Sequence, residues 1–254
     1  MAAQLIGVVA LGLMFVGGVL GLLLGKFLPE KYHGAPTERI VQGSMRMISY
    51  LSILVIGLLV ATAKNKFDTN NSQVEHFAAN LMLLNRELTA LGPSGSEAKS
   101  LLRKYTTAKI AARWGGQAGS RPESSDPAAL QLLETLQQKL LSVVAESEFQ
   151  RSMARGASEI LGELTRATWL QAAQESDQVP QPFLWVLIAW LSLLFAAMGL
   201  FAPHNALSFA ALLLCALSLS GAIALIVDMD TPFAGLIVVS PEPMQAALTQ
   251  INSP

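Results

Sequence analysis

Residues 5–25 read LIGVVALGLMFVGGVLGLLLG, 21 positions without one charged side chain. A helix rises 1.5 Å per residue, so about 20 such residues cross the roughly 30 Å hydrocarbon layer of a bilayer. Three more stretches have this character: 47–63 (MISYLSILVIGLLVATA), 183–202 and 206–227, of 17, 20 and 22 residues. The second is the shortest; it either extends towards Ser44 or sits where the bilayer thins. The first follows Met-Ala-Ala-Gln without a basic leader region. It also exceeds the 7–15 apolar residues of a secretory signal, so it reads as a retained helix.

Composition agrees. Of 254 residues, 52% are apolar and only 14% charged, against about 25% charged in an ordinary soluble domain. Seventeen Lys and Arg face eighteen Asp and Glu, which argues against nucleic acid as a partner. A single cysteine, Cys215, excludes an internal disulfide framework and any Cys-based zinc site. The three histidines, His33, His76 and His204, stand far apart in sequence, so no metal site is expected.

Residues 64–182, between the second and third runs, are soluble in character, with 13 basic and 13 acidic side chains. Ser72-Gln-Val-Glu75 has the form of a capping box. It would open a helix whose apolar positions Val74, Phe77, Leu81, Leu84, Leu88 and Leu91 repeat 3-4-3-4-3, a heptad-like seam. Gly92-Pro93 ends that helix, and Leu101, Tyr105, Ala108 and Ala112 form the expected buried stripe of the next. Gly115 to Ser125 (GGQAGSRPESS) has linker composition. Asp126-Pro127 then starts a helical pattern through Leu133, Leu136, Leu140 and Val144, and on to Ile160, Leu164 and Trp169. Gly156 and Gly162 are its expected bends. A strand pattern is visible only at 236–239.

The expected fold class is therefore an all-α membrane protein. Four transmembrane helices form two pairs, with a soluble helical-bundle insert between the second and third. The expected divisions are 1–63, 64–182, 183–227 and a tail, 228–254, with a turn and a short helix started by Ser240-Pro241-Glu242. Four crossings put both termini and 64–182 on one face. Near the membrane, loop 26–46 carries Lys26, Lys31, Arg39 and Arg46 against Lys64, Lys66 and Arg166 on the other face. That margin slightly favours a cytoplasmic 26–46 loop and decides nothing.

Three groups of residues are candidates for function. Gly17, Gly21 and Gly25, four apart, lie on one helix face and admit a close helix neighbour, either the chain's own second or fourth span or another subunit. Asp228 and Asp230 stand at the hydrocarbon boundary, where unpaired carboxylates are costly. Lys64 and Lys66, on the same face by parity, are their expected partners; an ion-selecting ring of carboxylates and solvated end caps are the alternatives. On the second span, Ser49, Ser52, Ile56 and Leu59 share a face that suits either an apolar pore wall or plain packing. No catalytic arrangement is readable, and no cofactor is expected.

Several stretches together resemble the bestrophin-like domain family of bacterial membrane proteins. They are Leu28-Pro-Glu-Lys-Tyr-His33, Gly57-Leu-Leu-Val-Ala-Thr-Ala-Lys64-Asn-Lys-Phe-Asp68, and Ala78-Ala-Asn80-Leu-Met-Leu-Leu-Asn85-Arg86. The tail adds Asp230-Thr-Pro232-Phe233-Ala-Gly235 and Val239-Ser240-Pro241. The tail motif is the most specific part; where this chain has Thr231 the family more often has a basic residue, so the lysines matter more as partners of Asp230. The resemblance implies an oligomer, pentameric by analogy, in the bacterial inner membrane, with 64–182 in the cytoplasm. It also implies passive conduction of small inorganic ions, anions by analogy, along a pore lined by the second span. No acidic calcium clasp of the animal bestrophin kind is seen. The rival expectation is a non-conducting membrane scaffold that binds a partner; an intramembrane enzyme ranks well behind both.

Overall fold

The computed structural model describes residues 2–27, 35–115, 127–143, 147–174, 181–203, 205–233 and 235–253. The stretch 28–33, most of the linker, Asp126, Val144 and His204 lie outside these. The described residues are mostly helical, with no strand among them. In chain order the helices are α1 (Ala2–Phe27), α2 (Ala35–Ala90), α3 (Ser96–Trp114), α4 (Pro127–Leu141), α5 (Glu148–Gln174), α6 (Gln181–Leu200), α7 (Ala206–Met229) and α8 (Glu242–Asn252). Among them α1, α2, α6 and α7 are long and apolar enough to cross a membrane.

The chain forms two compact units. The first comprises Met1–Lys66 and Gln178–Thr231, and it holds the four apolar stretches. Its core gathers Ala10 and Met14 of α1, Leu59 and Ala63 of α2, Leu187 and Phe195 of α6, and Ala216 and Ile223 of α7. Much of its outer surface is apolar as well: Leu5, Val8, Tyr50, Leu54, Leu193 and Leu214 are all exposed. Helices that are apolar all round suit a lipid surround, where tight van der Waals packing rather than water exclusion joins them.

The second unit comprises Phe67–Asp177 and Pro232–Pro254. All six seam positions from Val74 to Leu91 are buried, packed with Leu102 and Tyr105 of α3, Leu133 and Leu136 of α4, and Leu161 and Leu164 of α5. The tail completes this core with Val239, Met244, Ala247 and Ile251, so α8 buries an i, i+3, i+7 face.

Several expectations change. Ser72 caps nothing, because α2 runs unbroken from 35 to 90, and Ser72 is an exposed mid-helix residue. No Gly or Pro interrupts it between 58 and 91, and polar pairs such as Asn71 Nδ2 to Glu75 Oε1 (2.8 Å) support its polar stretch. The buried face of α3 is Ala98, Leu102, Tyr105, Lys109 and Arg113, rotated from the expected stripe so that only Tyr105 is shared.

The helix from Pro127 breaks after Leu141, and Gly156 and Gly162 lie inside a continuous α5. The break has local causes. The Ser142 hydroxyl bonds back to the Lys139 carbonyl (2.8 Å), while Ser147 Oγ accepts the Gln150 amide (3.1 Å) and starts α5. Trp169, expected on the seam, is largely exposed. Lastly, 236–239 is not a strand but the end of a loop closed by Val239 N–H donating to Pro232 O at 2.8 Å.

Candidate functional site

Both boundary carboxylates sit at the end of α7, where the last carbonyls carry partial negative charge and a further anion is unfavourable. A cation offsets this. Lys66 Nζ, on α2, lies 2.7 Å from Asp230 Oδ1, with only 28% and 12% of the two side chains exposed. Asp228 is buried in the last turn of α7, and Lys64 is exposed on α2. Thr231 works locally: its N–H (3.1 Å) and its hydroxyl (3.0 Å) both donate to the Asp228 carbonyl, satisfying one orphan acceptor of the helix end.

The glycine face of α1 meets α6, not the second or fourth span. A Cβ on Gly17 would fall 2.7 Å from Ser192 O, and one on Gly25 would fall 2.6 Å from Leu200 O. At Gly21 it would run into Ala196 O, and Gly199 of α6 likewise abuts Gly18 O. The backbones approach so closely that no larger residue fits at these positions.

On α2, Ser52 and Leu59 point into the first unit's core, at 2% and 7% exposure, while Ser49 and Ile56 are half-buried. Ser49 Oγ donates to Met45 O at 2.8 Å, and the buried Ser52 hydroxyl has no hydrogen-bond partner among the described residues. The opposite face, centred on Tyr50, Leu54, Gly57 and Ala61, is exposed.

The tail motif belongs largely to the second unit. Phe233 lies beneath the Arg113 guanidinium (4.4 Å to the ring centre) and edge-on to Trp114 (5.5 Å). Trp114 Nε1 donates to Val239 O at 2.9 Å, and Gly235 takes a positive φ of 155°. The loop is thus tied to the last turn of α3 at both ends.

One residue of this region escaped the sequence reading. Lys109, 7% exposed, places its ammonium 4.3 Å from the centre of the Phe77 ring and 5.7 Å from that of Tyr105. It donates to Thr168 Oγ1 at 3.4 Å. Desolvation, with a smaller contribution from the positive charge of Arg113, brings its pKa down to about 7. Burial pushes the Tyr105 phenol up to about 12. The signal was available: Lys109 and Arg113 follow Leu102 and Tyr105 at spacings of three and four on a core-facing stripe.

The bestrophin-like domain family matches residues 12–244. Among solved structures, a bacterial bestrophin homologue from Klebsiella pneumoniae aligns at TM-score 0.66 with 9% identity, over 96% of this chain and 96% of that one. A point variant of the Klebsiella homologue reaches TM-score 0.68 at 10% identity, over 96% and 97%. A structure described as that of a membrane protein gives TM-score 0.66 at 11% identity, over 96% of both chains. At these identities the likeness is one of fold. No curated protein matches the sequence.

Proposed function

Because the chain belongs to the bestrophin-like domain family, we propose that it is an oligomeric membrane protein that conducts small inorganic ions passively. The family match carries this reading, since it runs from within α1 through the other three apolar helices and most of the helical unit to the tail motif. In this proposal the helices form two membrane pairs, with residues 64–182 as a cytoplasmic insert and the assembly in the bacterial inner membrane. Anions are the favoured ions, by analogy with bestrophins, and five subunits the favoured number. No chemical reaction is assigned.

Burial of Ser52 and Leu59 moves the proposed lining to the other side of α2. Tyr50, Leu54, Gly57 and Ala61 recur at intervals of four, three and four, and they occupy the middle of the exposed face. Around a central axis such a face makes an apolar constriction that passes ions when wetted and blocks them when dry. Lys66 and Asp230 then act as a lock between two helix ends of the first unit rather than as an ion-selecting ring. Purified protein in liposomes should pass chloride or a small cation down a gradient, and Leu54→Ser should increase that flux by favouring wetting. A well-folded oligomer that passes no small ion would overturn the proposal.

That outcome would favour the second reading, a non-conducting scaffold. One observation supports it: Leu141, Phe149, Trp169 and Leu170 of the helical unit are all more than half exposed. Large apolar side chains in that setting suit contact with another protein chain.

A further inference from the structure

The helical unit contains a half-open pocket walled by Phe77, Lys109, Arg113, Trp114, Gln171 and Met244, whose enclosed part has room for about one water-sized group. Its surface is mainly apolar, and the charged side chains that reach its wall are Lys109 and Arg113, with no Asp or Glu among the lining residues. Lys109 Nζ has three protons to place. Its partners among the described residues are one hydroxyl at 3.4 Å and two aromatic faces. That hydroxyl is well used already: Thr168 Oγ1 donates to Leu164 O (2.8 Å) and lies 3.3 Å from the Tyr105 hydroxyl. Among the described residues no carboxylate comes within ion-pair distance of Lys109. Arg113 adds a second positive charge one turn along α3, and its Nη2 donates to Gln171 Oε1 at 3.0 Å, which leaves the Gln171 amide nitrogen as a further donor.

A buried ammonium without a counter-charge is costly, and the cost is relieved either by losing the proton or by gaining an anion. We propose that this pocket binds a small monatomic anion, of halide size, on the Lys109 ammonium, with Arg113 and Gln171 completing its wall. The size follows from the enclosed space, and the charge from the buried Lys109 ammonium on its wall. The pocket lies within the helical unit of a single chain, and the inference holds whether or not the assembled protein conducts. Binding is linked to protonation: an anion holds the proton on Lys109, so affinity is fully present below about pH 7 and fades as pH rises and the amine becomes neutral.

Bromide is the probe. The full-length protein in detergent is melted in sodium bromide and in sodium gluconate at equal ionic strength, at pH 6.5 and pH 9. Bromide should raise the melting temperature by several degrees at pH 6.5, and the gain should largely vanish at pH 9. It should also vanish in Lys109→Met, which keeps the side-chain length without the charge, and persist in the exposed Lys104→Gln. Equal gains in wild type and Lys109→Met, or a gain unchanged at pH 9, would overturn the proposal. Should Lys109→Met fail to fold, anomalous scattering from bromide in wild-type crystals decides alone: density against Nζ supports the site, and an empty pocket refutes it.

Discussion

Lys66 Nζ and Asp230 Oδ1 stand 2.7 Å apart, across 164 residues of sequence, and join α2 to the end of α7. Asp230 works against the dipole of its own helix, so the cation makes that helix end tolerable. Asp230→Asn should therefore destabilise the detergent-solubilised protein, by about 1–2 kcal/mol after allowing for the partial exposure of Lys66. Lys66→Met should cost a similar amount, and the double variant less than the sum. Thermal melts of the three variants check this; additive losses would show that the two side chains do not interact.

Gly21 makes the closest approach between α1 and α6, so Gly21→Leu should force the helices apart. Overpacking of this kind typically costs about 1–3 kcal/mol, and here it also alters the surface offered to a neighbouring subunit. Oligomer mass by light scattering, together with the melting temperature, should fall. By contrast, Gly57→Ala should lower neither, because nothing lies within 4 Å of a Cβ placed there and Ala is the better helix former.

Stability of the helical unit should vary with pH in two windows. Lys109 has a folded pKa of about 7 against 10.5 for a free lysine, so between those values the unfolded chain holds the proton and the folded one does not. Stability therefore climbs with pH from about 7 to 10.5. Tyr105, raised from 10.0 to about 12, acts in the opposite sense: above pH 10 the unfolded chain loses its proton first, and stability declines. Denaturation series between pH 6 and 11 should show a maximum near 10, and Lys109→Met should flatten the rising limb.

The tail loop depends on Trp114. Trp114→Phe keeps a ring against Phe233 but removes the hydrogen bond to Val239 O, at a cost of about 1 kcal/mol. The exchange protection of the Val239 amide reports this directly and should fall.

The sequence made some of this legible and hid the rest for identifiable reasons. Long apolar runs and a strict 3-4 repeat are redundant signals, so the presence of four apolar helices and each buried position of the Val74–Leu91 seam are legible, while the bounds of α2 are not. Capping patterns are short and common. Ser72-x-x-Glu75 has the form of a helix start and lies inside an unbroken helix, while Ser147-x-x-Gln150, of the same form, starts α5. Lys109 and Arg113 were passed over because charged residues are ordinarily placed outside; two aromatic rings and a pocket wall reverse that here. Sequence also left open which helix meets the glycines of α1, since a face of small residues accepts any close partner.

Cysteine accessibility on α2 tests the central claim most directly. With the exposed native Cys215 replaced by Ser, Leu54→Cys and Leu59→Cys are compared in a planar bilayer before and after a charged thiol reagent. The account predicts a current that the reagent changes strongly at position 54 and leaves unaltered at position 59, which lies in the core of its own unit. A current modified at 59 and not at 54, or no current from an intact oligomer, would contradict it.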